Sequence, residues 1–397
     1  MEQVPYFRLS AFYTVYFAAI GALLPYWSLY LESLGFNAGE IGELIAILVG
    51  AKVIAPNFWG WIVDRSGKTI QVIRITSLIA TIAFLGNFLV TGFLWMAGVT
   101  LIFSFFWNAA LPQFEALTLA HLKQHAHQYS RVRMGGSIGF VVSVLTVGWF
   151  FTTHPISELP RVIALLLTGI WLSSLIVPNK PTHTSRSADA NELTAILRQP
   201  VVIAFLIVVC LVQVAHGPYY VFYSIFLKDH GYSSGEIGAL WSLGVIAEIV
   251  LFIYMPRLLK RYNLRIILLV SVLGGIARWW FIAYCVDQPW LLAMAQLLHA
   301  LTFGSTHIAA IHLVHRFFPA TSHGRGQALY SSMSFGLGGM IGSFASGALW
   351  NHFTPIVVYG LASAICILAF LIAFQWIRID DGAGFEPAEE PLINEEL

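Results

Sequence analysis

Gly35-Phe36-Asn37-Ala38-Gly39-Glu40-Ile41-Gly42 recurs as Gly231-Tyr232-Ser233-Ser234-Gly235-Glu236-Ile237-Gly238, a constant offset of 196 from Gly35 to Gly231. Each copy stands at the opening of a long apolar run, so the chain reads as two similar halves laid end to end. At the same offset Lys52 falls opposite Glu248, which gives equivalent mid-helix positions opposite charges. Parallel halves related by an axis along a membrane normal suit a machine that rocks two bundles about a site at their midplane.

Composition agrees with a membrane setting. Of 397 residues, 58% are apolar and 10% charged, against about 45–50% and 25% in soluble domains; a water-soluble globule is excluded. A net charge of +1, from 21 Lys and Arg against 20 Asp and Glu, offers no global attraction to nucleic acid. Apolar runs near 9–31, 41–62, 71–92, 96–119, 131–152, 160–177, 200–226, 237–257, 265–286, 290–314, 326–349 and 355–377 are each close to the roughly 20 residues a bilayer span needs. They consume most of the chain and leave no room for an enzyme domain. The first run reads as a retained helix rather than a signal peptide. Cys210, Cys285 and Cys366 sit inside apolar runs and read as core residues, with neither disulfide nor metal indicated. His121, His125 and His127 share a basic loop without an acid, so no metal and no cofactor is expected. Gly135-Gly136-Ser137-Ile138-Gly139 has the spacing of a nucleophile elbow, but it opens a membrane helix, and small-residue helix packing accounts for it.

Basic residues set the expected orientation. With the N-terminus in the cytoplasm, all the Lys and Arg fall on that side except Arg161 and Lys228, which lie outside, and Lys52 and Arg278, which lie within the hydrocarbon. Both termini are then cytoplasmic. Residues 178–199, rich in Ser, Thr, Asn and Pro, separate the halves. The expected organisation is an N-terminal six-helix bundle over 1–178, a cytoplasmic linker over 179–199, a C-terminal six-helix bundle over 200–378 and an acidic disordered tail over 379–397. The fold class is therefore an all-α membrane protein of twelve transmembrane helices in two pseudo-symmetric bundles.

Between the second and third runs stands Gly60-Trp61-Ile62-Val63-Asp64-Arg65-Ser66-Gly67-Lys68. Its Gly60, Asp64, Arg65, Gly67 and Lys68 resemble the loop signature of the major facilitator superfamily. The second half keeps a degenerate copy, Pro256 to Arg261, without the acid. Gln213-Val214-Ala215-His216-Gly217-Pro218-Tyr219-Tyr220, the stretch from Trp241 to Glu248, and Gln296-Leu297-Leu298-His299 resemble the phenylpropionate permease family, a proton-linked branch. Glu115 followed by Arg133-Met134, with an acid, an arginine and a histidine in the eighth, ninth and tenth runs, is more distantly similar to lactose permease. Where that protein has a second acid one turn after the histidine, this chain has Thr302, so that acid's role does not carry over.

Ionisable side chains inside a bilayer cost about 2.5–3.5 kcal/mol each on insertion scales and normally face a partner or a cavity. Counting inward from the outer ends of the runs puts Glu248, Arg278 and His299 at one level, with Lys52 at a matching depth in the other half. Glu115 and Arg133 fall nearer the cytoplasmic surface, as a separate pair. Lys52, Arg133 and Arg278 outnumber Glu115 and Glu248 by one positive charge, which suits an anion. Arg offers a planar fork for a carboxylate, and Lys a point charge. Glu115, Glu248 and His299 are the candidate proton-linked groups. Lys52, Arg133, Arg278, His216, Gln213 and Tyr220 are the candidate substrate contacts. Tyr219, Tyr220, Phe222 and Tyr223 read first as an interfacial aromatic belt and second as a rim for an aromatic ring.

The expected function is import of a small organic anion with protons by alternating access, in a monomer whose partners are that solute, protons and the bilayer. The resemblance points to an aromatic monocarboxylate such as 3-phenylpropionate. The alternatives are proton symport of a neutral sugar or nucleoside on the same fold, and a membrane receptor that binds without transporting.

Overall fold

A computed structural model describes residues 4–89, 92–180, 190–319 and 322–378. The acidic tail and residues 181–189 of the linker lie outside the described residues, as does the side chain of His127. Among the described residues the chain is all helix and loop, with no strand. Twelve long helices follow one another: α1 Tyr6–Ser33, α2 Ala38–Ser66, α3 Thr69–Phe88, α4 Phe93–Leu122, α5 Tyr129–Phe150, α6 Ile156–Leu175, α7 Pro200–Asp229, α8 Ser234–Arg261, α9 Leu264–Tyr284 and α10 Pro289–Phe317. In α11 the segments His323–Ser331, Ser332–Gly338 and Gly339–Trp350 run on without a break, and α12 is Pro355–Trp376. A short helix, Ala190–Leu197, connects α6 to α7. The end of the molecule where α6 finishes and α7 begins is called the linker end below.

Ten of the twelve are long and apolar enough to cross a membrane by themselves. The other two, α2 and α11, pack on each other. Helix α2 carries Glu40, Glu43, Lys52, Asp64 and Arg65, and α11 is rich in Gly and Ser. Partnering each other across the two halves spares part of each surface from lipid, so neither needs an apolar face all round. Elsewhere the outer surface is what a bilayer demands: Phe7, Leu94, Trp149 and Leu165 are largely exposed apolar side chains.

The repeated octapeptide has a structural meaning. Gly35 (φ +88°) and Gly231 (φ +83°) take the left-handed conformation that ends the preceding helix. Asn37 and Ser233 then cap α2 and α8. The backbone N–H of Glu40 donates to Asn37 Oδ1 (3.1 Å) and that of Glu236 to Ser233 Oγ (3.3 Å), while each glutamate accepts from the cap residue's N–H. Such capping boxes satisfy two orphan donors reciprocally. One turn on, Gly42 and Gly238 stand where the halves cross. A Cβ on Gly42 would fall 2.6 Å from the Cα of Gly347 on α11, and one on Gly238 would fall 2.8 Å from the Val144 carbonyl oxygen on α5. Only glycine permits such approach.

These crossings close the end opposite the linker. There Lys228 pairs with Glu32, and Asn351 Nδ2 donates to Asn37 Oδ1 at 3.4 Å. Helix α1 packs across the divide on Gly217–Asp229, the far segment of α7. Towards the linker end Glu115 and Arg133 keep side-chain exposures of 38% and 31%. The halves therefore enclose a gap that is sealed at the far end and wet near the linker.

Within each half an arginine of the third helix ties down the sixth. Arg74 donates to the carbonyls of Ser174, Leu175 and Val177, and Arg265 donates to that of Phe374 at 2.7 Å. Orphan C-terminal carbonyls are satisfied this way in both bundles.

Candidate functional site

Helix α8 carries Glu248 into the gap, where its Oε2 lies 3.5 Å from Nε2 of His299 on α10, with Glu248 only 14% exposed. The His299 ring stacks on Phe303 at 5.3 Å. Glu248 also lies within electrostatic range of His307 and, from the other half, of Arg133. His307 is held by a 2.9 Å hydrogen bond between its Nδ1 and the Tyr330 hydroxyl on α11.

Arg278 stands behind this pair, fully buried. Its Nη1 donates to Thr302 Oγ1 at 3.0 Å, and its guanidinium lies 4.2 Å above the Tyr219 ring and 4.7 Å from Trp279. Among the described residues Nε and Nη2 have no hydrogen-bond partner. A buried ion loses several kcal/mol of hydration, against about 2 kcal/mol regained per desolvated cation–π contact. Arg278 is thus a poorly compensated cation, and Glu248 does not pair with it.

The platform under Arg278 is built by hydrogen bonds. The Tyr219 hydroxyl donates to Gln296 Oε1 (3.0 Å), Gln296 Nε2 donates to the Tyr223 hydroxyl (2.6 Å), and Trp241 Nε1 donates to Ser224 Oγ (3.0 Å). Trp241 packs on Tyr219 at 4.5 Å. Here the structure corrects the sequence reading. Tyr219, Phe222 and Tyr223 form no interfacial belt; they are buried in the second bundle. The kink at His216-Gly217-Pro218 turns them inward, with Gly217 pressed on the backbone of Gly342. His216 is buried, bonded through Nδ1 to the Val212 carbonyl (2.7 Å), and set edge-on to Trp279. Gln213 is buried beside it and reaches the Tyr220 hydroxyl.

In the first half Arg133 Nε lies 3.9 Å from Glu115 Oε1, with the guanidinium 3.8 Å over the Phe17 ring. Lys52 makes no ion pair or hydrogen bond among the described residues, and it does not touch Glu248. Its direction follows from its neighbours. Ile54, Phe58 and Trp61 are exposed and mark the lipid face of α2, and Lys52, two residues before Ile54, lies about 200° round the helix from it. It therefore projects to the interior side.

At the linker end Gly67 (φ +63°) gives α2 a left-handed C-cap, its N–H donating to the Val63 carbonyl at 2.8 Å. Arg65 lies 4.2 Å over Trp61, Gly60 faces Gln113, and the Lys68 N–H donates to Ser66 Oγ. Asp64 is exposed and has no ion pair among the described residues.

Trp241, Gln296 and Thr302 escaped the sequence reading as site residues. The signal was helical spacing: Trp241 precedes Glu248 by seven residues, and Gln296 and Thr302 flank His299 by three on either side, so they share faces with the ionisable groups.

A family model described as the MFS_1 like family matches residues 6–361. A protein of Escherichia coli (strain K12) described as a probable 3-phenylpropionic acid transporter is 30% identical over 376 residues, covering 91% of this chain and 96% of its own. Maltose permease of Geobacillus stearothermophilus is 24% identical over 381 residues, covering 94% and 95%. The crystal structure of the nucleoside transporter NupG superposes with a TM-score of 0.83 at 19% identity, over 94% of this chain and 99% of that one. At that identity the likeness shows the fold.

Proposed function

The chain belongs to the MFS_1 like family and is an integral membrane transporter rather than an enzyme, and from that premise we propose that it imports a small aromatic monocarboxylate with protons. The observation that carries this reading is the charge pattern of the gap. The contact partner of Glu248 is a histidine, which can change its charge, whereas among the described residues neither Arg278 nor Lys52 has an ion pair with an acid.

The pair Glu248–His299 holds the proton, with Glu115 as the second acid. Lys52 and Arg133 face the gap and meet the carboxylate. Arg278 supplies a fixed positive charge behind the pair, while Tyr220, Gln213 and His216 shape the wall that receives the ring. A carboxylate arriving with a proton brings no net charge into the low-dielectric gap, which is the physical basis of the coupling. The basic loops put the linker end in the cytoplasm of a bacterial cell, so the sealed far end is external and the structure is inward-open. Residues 1–178 and 200–378 are the two rocking bundles, and the protein works as a monomer.

The test is uptake into proteoliposomes driven by an imposed pH gradient, with radiolabelled 3-phenylpropionate, maltose and a nucleoside compared side by side. The reading expects accumulation of the carboxylate only. Accumulation of maltose or the nucleoside instead assigns a neutral cargo, and stabilisation of the folded protein by a ligand without uptake assigns a receptor.

A further inference from the structure

We propose that Gly244 and Gly304 are positioning residues for the Glu248–His299 pair, acting through reciprocal notches that a widened turn of α10 brings into line. The proposal rests on the proton-holding role given to that pair above. A Cβ on Gly304 would lie 3.0 Å from Cγ of Glu248 and 3.3 Å from Leu251 Cδ2, and a Cβ on Gly244 would lie 3.3 Å from Cβ and 3.4 Å from Cγ of His299. Each ionisable side chain therefore sits over a glycine of the opposite helix.

On α8 the register is ordinary, because Gly244 and Glu248 are four residues apart and share a face. On α10 it is not. His299 and Gly304 are five residues apart, which on an α-helix at 100° per residue leaves them about 140° apart round the axis. Residues Ala300–Ser305 are π-helical, and a turn closed from i to i+5 returns the fifth residue towards the face of the first. The wide turn thus has a local purpose: it lets one face of α10 present both the histidine and the notch. At 3.5 Å the Nε2–Oε2 contact is already at the limit of a hydrogen bond. A methyl group that pushes either side chain by a few tenths of an ångström therefore alters it.

The charged and titratable groups facing the pair among the described residues are His307 on α10, Arg133 on α5, His216, Tyr219 and Tyr220 on α7, and Arg278 on α9 beside His299. None of them changes when a glycine is replaced, so a displaced titration reports the pair's geometry.

The experiment is an infrared pH titration of the purified full-length protein in lipid nanodiscs, following the carboxyl band that Glu248→Gln removes. Gly304→Ala and Gly244→Ala are expected to displace its midpoint, while Gly98→Ala, whose Cβ would meet nothing within 4 Å, leaves it in place. Midpoints unmoved in correctly folded Gly304→Ala and Gly244→Ala protein, or moved equally by Gly98→Ala, overturn the proposal. Should Gly304→Ala fail to fold, Gly244→Ala, with its looser contacts, decides alone. The titration needs no substrate, so a displaced midpoint in a protein that does not accumulate 3-phenylpropionate sinks the anion reading and leaves the positioning role standing.

Discussion

The two carboxylates of the gap stand in opposite situations. Glu115 meets Arg133, a permanent cation, across 3.9 Å where both are more than three-tenths exposed; Glu248 meets His299 across 3.5 Å where both are nearly buried. The cation of the first pair is a guanidinium, which does not deprotonate. The second can exist with or without an extra proton, and its dry surroundings make each state energetically distinct. Equal residue types, placed at different depths against different partners, thus suit the proposed division: a second acid beside a fixed cation in one bundle, the main proton-holding pair in the other.

Glu248→Gln breaks this contrast most severely. Removing one partner of a buried pair costs about 3–5 kcal/mol; uphill accumulation of 3-phenylpropionate is expected to fall by about a hundredfold or more, at about 1.4 kcal/mol per tenfold, while solute exchange in the absence of a gradient survives. Next in size is His299→Gln, which keeps a neutral donor and loses the charged one. A difference of about 1.5 kcal/mol between charge-assisted and neutral hydrogen bonds corresponds to a drop of about tenfold in the same assay and a flattened pH profile of uptake. Glu115→Gln removes a half-exposed ion pair worth about 0.2–1 kcal/mol, so accumulation is expected within about fivefold of the parent, with the pH profile retained. A larger loss from Glu115→Gln than from Glu248→Gln would exchange the roles assigned to the two bundles. Phe17→Leu sharpens the comparison at its smallest scale: it deletes the ring under Arg133 at a cost of about 0.5–1 kcal/mol, visible as a slight fall in melting temperature and a change in uptake below about threefold.

Much of this architecture was legible in the sequence because its signals are repeated or costly. The octapeptide at 35–42 and 231–238 announced two halves, and its Asn37, Ser233 and glutamates turned out to be the caps that start α2 and α8. The ionisable residues marked the candidate site, since Lys52, Glu248 and Arg278 are costly facing lipid. What stayed hidden was direction and register. Counting residues gave the depth of Arg278 but not its azimuth, and the side chain turns to Thr302 on α10 instead of Glu248 on α8. Tyr219 and Tyr223 lie in a helix that is apolar all round, where hydropathy cannot separate a bundle core from a membrane interface. The π turn over Ala300–Ser305 leaves no compositional trace, although it decides which residues of α10 share a face.

The most direct test is a simultaneous record of proton movement and electrical current when 3-phenylpropionate is added to proteoliposomes holding the purified protein. The account predicts proton entry with the solute and no net current, because one anion and one proton cancel. Solute entry without proton movement, or proton entry accompanied by inward current, would contradict it.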